Sequence, residues 1–332
     1  MQPALVADIG GTHARFGLLT NTTMPAGDVV IEQEAKFRCA EHDNLHEVID
    51  GYLESIGRPA LVYGSIAVAA PVWHDRVKMT NLDWSFSVEE MRKSLGLTRL
   101  EVINDASAGV LATTRLASHE ITELRPGKAQ PRATRVNIIP GTGFGLGAAY
   151  LFGETWMPVQ GEGGHIGLAA YETEEYETLK ALSRTCGRAT PENVLSGPGM
   201  LNLYRALSVV RGIGINEIDP AEMTRLALAR EEALAVDALT MYCNLLGSLA
   251  GDYALVFGAH GGMFLSGSIL QRLGDRIMDS DFEKRFTSKG GVTGEVSNIP
   301  VYLVNRDHPG LLGAAAWLLN LLGGKEAGWK VA

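Results

Sequence analysis

The chain is poor in cysteine, and its cysteines form no pattern. Cys39, Cys186 and Cys243 are an odd, scattered set in 332 residues. Without a CxxC spacing they argue against a disulfide framework and a zinc site, and fit reduced cytosolic thiols. Basic charge is also short. The 29 Lys and Arg against 38 Asp and Glu leave a net charge of -9, so the concentrated cationic face needed by a nucleic-acid or anionic-membrane partner is not expected. An anionic nucleotide would have to be held by a metal and backbone amides. The most apolar late stretch, Leu311 to Leu322, is interrupted by Asn320 and falls short of the roughly 20 residues that span a bilayer. Met1 to Leu5 carries no basic residue and leads to Asp8, unlike a secretory signal. A soluble, cytoplasmic protein is therefore expected. The Walker string GxxxxGK[ST] and the dinucleotide string GxGxxG are both missing.

What is present is an ordinary globular composition, 46% hydrophobic and 20% charged, long enough for two domains. The organising stretch is Leu100-Glu101-Val102-Ile103-Asn104-Asp105-Ala106. Val102 and Ile103 sit in a short apolar β-run, and Ala106 to Ala112 favours helix. A strand-to-helix junction at Asn104-Asp105 faces a ligand crevice in an open α/β sheet. Asp105 is the candidate general base; the plainer reading is a helix N-cap.

Ala4 to Ile9, Gly10-Gly11-Thr12 and Ala14 to Leu19 read as strand, glycine turn and strand, a hairpin whose amides can approach phosphate oxygens without interference from Cβ. The plan recurs in Val136 to Pro140, Gly141-Thr142-Gly143 and Phe144 to Tyr150, and two such turns suggest a two-sided phosphate clamp. Alternating glycines also serve tight sheet packing. Leu45 to Ile56 has helical periodicity, Leu61 to Ala70 returns to strand, and Ser87 starts a helix that stops at Gly96. Trp73 and Trp84 are read as packing residues. Glu162 and His165 share a glycine-rich loop and offer an acceptor and a donor suited to sugar hydroxyls. Glu192 falls in the first turn of a short helix capped by Thr190. Glu231 to Phe257 reads as a central helix, Gly261 to Ser268 as a glycine-bracketed strand, Pro300 to Val304 as a last strand and Pro309 to Leu322 as a final helix. No Ser-rich linker occurs, so domains should be joined by crossing helices and loops.

In this order, the motifs resemble those of bacterial glucokinases, in the hexokinase and actin-like ATPase superfamily. Asp8-Ile9-Gly10-Gly11-Thr12-His13-Ala14-Arg15 is similar to the family's first phosphate motif, Gly141 to Gly145 to the second, and Gly261 to Ser268, with Gly262 and Gly267, to the adenosine motif. Ile103-Asn104-Asp105, Gly161 to His165 and Glu192 to Gly199 are similar to its sugar-binding segments. His13, Pro140 and Gly167 depart from the family's usual Asn, Gly or Ala, and Asp. The zinc-binding CxCGxxGC segment of the related repressor/kinase family is absent, as is a DNA-binding extension before the first motif.

The resemblance implies an α/β, two-domain actin-like ATPase (ribonuclease H-like) fold with a cleft between a small domain, residues 1–110 completed by a C-terminal helix 307–332, and a large domain, 111–306. It implies ATP-dependent phosphorylation of glucose at the 6-hydroxyl by a homodimer. Asn104, Asp105, Glu162, His165 and Glu192 would bind the sugar, Asn81 would close over it, Asp105 would take the 6-hydroxyl proton, and closure would exclude water. Asp8 would hold Mg²⁺ through water. The alternatives are a kinase for another hexose or an amino sugar, and a non-catalytic sugar or nucleotide sensor.

Overall fold

The computed structural model describes residues 3–21 and 29–323. Strands β1 (Ala4–Ile9), β2 (His13–Leu19) and β3 (Ile31–Arg38) precede helix α1 (Leu45–Ser55) and strand β4 (Tyr63–Val68). The short pair β5 (Arg76–Lys78) and β6 (Ser85–Ser87) leads into α2 (Val88–Ser94), then β7 (Arg99–Asn104) and α3 (Asp105–Ala112). Next come β8 (Ile121–Arg125), β9 (Arg135–Pro140), β10 (Phe144–Phe152) and β11 (Thr155–Val159). Helices α4 (Thr173–Cys186), α5 (Pro191–Leu195), α6 (Gly197–Arg211), α7 (Pro220–Ala229) and α8 (Ala233–Phe257) follow. The chain ends with β12 (Met263–Leu265), α9 (Ser268–Leu273), α10 (Phe282–Thr287), α11 (Thr293–Val296), β13 (Val301–Val304) and α12 (Pro309–Gly323).

One sheet runs in the order β3-β2-β1-β4-β7 and another in the order β11-β10-β9-β12-β13-β8. In each, a glycine-turn hairpin is followed by parallel strands; β1 pairs antiparallel with β2 and parallel with β4, and β12 lies parallel to both β9 and β13. The hairpins, the α2 start at Ser87 and the β7-to-α3 junction fall where the sequence pattern puts them. Ser87 accepts from the Glu90 N–H at 3.1 Å. Trp84 is 5% exposed and belongs to the core, but Trp73 is 66% exposed and packs nothing away.

The chain splits into two compact units, with ranges Met1–Ala117, Gly147–Gln160 and His308–Ala332 for the first and Ser118–Leu146 and Gly161–Asp307 for the second. The expected boundary at residue 110 moves to 117, and the far half of β10 with β11 joins the first unit. Packing on α3 and α12 explains this. A Cβ on Gly147 would come within 2.3 Å of the Ala106 carbonyl oxygen, and Asn320 of α12 donates to the Trp156 carbonyl of β11 at 3.2 Å. The expected C-terminal helix is present as α12, and residues 324–332 lie outside the described residues.

In the first unit, α1 covers one sheet face with Leu45, Val48, Ile49 and Tyr52 against Ala14 and Phe16. Helix α12 covers the other with Leu311, Ala315 and Leu318 against Ala4 and Val6. In the second unit, α8 is a central helix. Among the described residues it alone is long and apolar enough to cross a bilayer, but two thirds of its most apolar window is buried, as a core helix requires. A buried ion pair, Glu175 to Arg285 at 2.5 Å, ties α4 to α10, while the same carboxylate caps α4 through the N–H groups of Tyr171 and Glu172.

Two glycine substitutions separate close packing from helix propensity. Gly313→Ala sets a Cβ 1.8 Å from the Ala108 carbonyl oxygen and should destabilise by about 2 kcal/mol or more. Gly51→Ala in α1 meets nothing within 4 Å and should stabilise by about 0.5–1 kcal/mol. Urea titrations check both signs.

Candidate active site

The β7-to-α3 junction places the helix cap one residue before Asp105. Asn104 is the N-cap: its Oδ1 accepts from the N–H of Ala106 at 2.9 Å and of Ser107 at 3.3 Å. Its amide donates to the Ala70 carbonyl at 3.2 Å and to Asp105 Oδ1 at 3.0 Å. Asp105 therefore stands in the first turn of α3, exposed, with Oδ1 also accepting from the Ala106 N–H at 2.9 Å. These two donors, with the helix N-terminus, orient a negative carboxylate. Asn104, expected as a sugar ligand, has its side chain committed to capping and to holding its neighbour.

Asp8 lies in β1, one residue before its end, and its carboxyl is pushed up to about 6. Burial is the main cause, the negative charge of Asp105 adds to it, and Arg15, its partner across β1 and β2, opposes both. Helix α12 begins directly over this group: a Cβ on Gly310 would stand 2.7 Å from Asp8 Cγ. Gly310 is a residue that sequence reading passed over as a helix opener; its signal was a glycine just inside a helix start. The Gly10-Gly11-Thr12 turn is closed by the Gly10 N–H donating to the His13 carbonyl at 2.9 Å, and braced by the Cys39 N–H donating to the Thr12 carbonyl at 3.0 Å. Asn81 lies against this turn, its Cβ 3.0 Å from where a Gly11 Cβ would be.

In the second unit, Glu162, His165 and Glu192 come together. His165 Nε2 lies 4.0 Å from Glu162 Oε2, and its Nδ1 4.0 Å from Glu192 Oε1. Thr190 caps α5, accepting from the Asn193 N–H at 3.2 Å, and this sets Glu192 in the first turn. Glu192 Oε2 also accepts from the Phe144 N–H at 3.2 Å and fills the space a Gly143 side chain would need. The sugar candidates of this unit thus adjoin the second glycine turn, where the Gly141 N–H donates to the Gly143 carbonyl at 2.8 Å. Thr142 lies between these two residues. Gly267, in the left-handed region at φ +103°, lies beside Pro140, whose carbonyl oxygen is 2.8 Å from its ideal Cβ. Gly262 does not join them. It stands at the opposite end of β12, against the rings of Phe264 and Tyr302.

An open α/β fold with paired glycine hairpins, each ending beside carboxylates, is the arrangement of the actin-like ATPase fold class. The Glucokinase family model matches residues 5–321. The glucokinase of Saccharophagus degradans is 36% identical over 321 residues, covering 97% of this chain and 99% of the relative. That of Aromatoleum aromaticum is 37% identical over 329 residues, covering 97% and 96%. A solved glucokinase from an Antarctic psychrotroph matches with a TM-score of 0.89 at 37% identity, covering 96% of this chain and 99% of that one. The ROK family glucokinase from Streptomyces griseus, solved in complex with glucose and AMPPNP, shares the fold with a TM-score of 0.62 at 19% identity, covering 94% and 98%. The chain belongs to the glucokinase family and is an enzyme.

The raised Asp8 carboxyl has a consequence for stability. Its proton is held more tightly in the folded chain than at the ordinary 3.8, so its destabilising charge is absent below about pH 4 and fully present above about pH 6. Asp8→Asn should therefore stabilise the protein by about 1–3 kcal/mol at pH 8 and change it little at pH 4. Chemical denaturation at both pH values measures the difference; a gain that did not grow with pH would contradict the assignment.

Proposed function

We propose that the protein transfers the γ-phosphoryl group of ATP to the 6-hydroxyl of glucose, giving glucose 6-phosphate and ADP. The observation that carries this reading is Asp105: a carboxylate oriented by Asn104 and the Ala106 N–H, beside Asp8 and in the same unit as the Gly10-Gly11-Thr12 turn. In this reading the sugar-binding residues are Asn81, Asp105, Glu162, His165 and Glu192, with Asn104 behind Asp105. Glu162 and Glu192 accept hydroxyl hydrogens, His165 accepts or donates, and Asp105 accepts the 6-hydroxyl proton as the oxygen attacks phosphorus. The oxygen–phosphorus bond forms as the γ-phosphorus to bridging-oxygen bond breaks, and ADP leaves.

Phosphoryl transfer needs positioning and charge neutralisation more than covalent chemistry from the protein. In this reading the Gly10-Gly11-Thr12 and Gly141-Thr142-Gly143 turns meet phosphate oxygens through the amides of Gly11, Thr12, Thr142 and Gly143, because the Gly10 and Gly141 N–H groups close the turns themselves. Gly262 and Gly267 belong to the nucleotide segment that the family resemblance implies. The Asp105 charge acts on Asp8 and Arg15 offsets part of it, a local excess of negative charge that a divalent cation would relieve. Asp8 would hold Mg²⁺ through water; when bound, the ion neutralises phosphate charge. Asn104 contributes as the group that orients the base. The resemblance to the family also supports a cytoplasmic homodimer.

Coupled ADP release across a panel of hexoses and amino sugars tests the reading, with glucose expected as the preferred acceptor. Asp105→Asn should lower kcat by about 10²–10⁴ with little change in glucose KM. Near-wild-type turnover in that variant would remove the base assignment.

A further inference from the structure

On the α12 side of the first sheet, strands β2 and β3 carry a local concentration of positive charge. The β2–β3 register sets His13 opposite Arg38 and Arg15 opposite Lys36. Ala14, Phe16, Ala35 and Phe37 between them belong to the core beneath α1, so by alternation the four basic residues share the other face. Paired Cβ atoms across strands lie about 5 Å apart, and same-face neighbours along a strand about 7 Å. The four side chains thus form a square on a protein whose net charge is -9.

Few acids neutralise it. Lys36 has no ion pair among the described residues, and the Arg38 side chain, 73% exposed, meets Glu41 at 3.9 Å. Arg15 faces Asp8, yet its Nε is buried with no hydrogen-bond partner. Glu34 lies one step further along β3, near Gly17. The imidazole of His13 is held below its ordinary value, first by lost hydration and then by the charges of Lys36, Arg15 and Arg38. The square also adjoins the first glycine turn, because Arg38 leads directly into Cys39, which braces Thr12.

We propose that His13, Arg15, Lys36 and Arg38 form an anion site for a short chain of linked phosphates. Orthophosphate can engage one or two of these donors; a chain of three phosphates reaches all four. Glu34 and Asp8 flank the square and limit the chain's length by repulsion. A nucleic-acid ligand does not fit, since the basic area is one square on an acidic protein. This site stands independently of the sugar reading, because Lys36 and Arg38 lie outside the catalytic set.

Calorimetric titration of the full-length enzyme with inorganic triphosphate and, separately, orthophosphate tests the proposal. Triphosphate should bind about tenfold tighter or more. The double variant Lys36→Gln/Arg38→Gln should lose about tenfold in triphosphate affinity while keeping wild-type glucose turnover. If the double variant does not give the native circular dichroism spectrum, Arg38→Gln alone, at an exposed position, should lose about threefold. Equal affinity for the two anions, or unchanged triphosphate binding in the folded variant, would overturn the site.

Discussion

The position of Asp105 depends on how closely other backbones approach α3. Gly313 of α12 and Gly147 of β10 are both too near its carbonyls to carry a side chain, with ideal Cβ distances of 1.8 Å to Ala108 O and 2.3 Å to Ala106 O. Contact at this range leaves little freedom to slide or tilt, because packed interiors resist even a methylene of change. The helix that presents the carboxylate is thus fixed from outside, and Asn104 fixes the carboxylate from within. A catalytic group needs this kind of support, since rates fall steeply with small misplacement.

Charge is arranged across the same sheet. Reading along the register from β3 to β1, Lys36 faces Arg15 and Arg15 faces Asp8, with the Asp105 charge acting on Asp8 from the α3 side. Asp8 and Asp105 gather on the β1 and α3 side, and the bases gather toward the sheet edge, next to the first glycine turn. The overall acidity of the chain conceals this local reversal of sign, because net charge reports an average over the surface.

Much of the fold was legible because its elements announce themselves locally. The hairpins have glycine turns between apolar runs, and Asn104-Asp105 sits where β-branched residues give way to alanines. Glu192 was placed by its cap and proline alone. Other features depend on partners remote in sequence. Whether Asn104 or Asp105 caps α3 turns on the Ala70 carbonyl, and the need for glycine at 310 turns on Asp8. Trp73 looked like a core residue because aromatic composition says nothing about exposure. Gly262 carried the glycine bracket expected of a nucleotide site, but its place at the starting end of β12 follows from strand direction. The glycines alternating from the second turn into β10 make room for protein neighbours, Gly143 for Glu192 and Gly147 for a helix backbone.

The central claim is that Asp105 is built to meet a sugar alcohol. A crystal structure of the wild-type enzyme with glucose and a non-hydrolysable ATP analogue measures this directly. The account predicts the glucose 6-hydroxyl within about 3 Å of an Asp105 carboxylate oxygen, with phosphate oxygens against the amides of the Gly10–Thr12 turn. A 6-hydroxyl bonded to another residue, with Asp105 turned toward solvent, would contradict it.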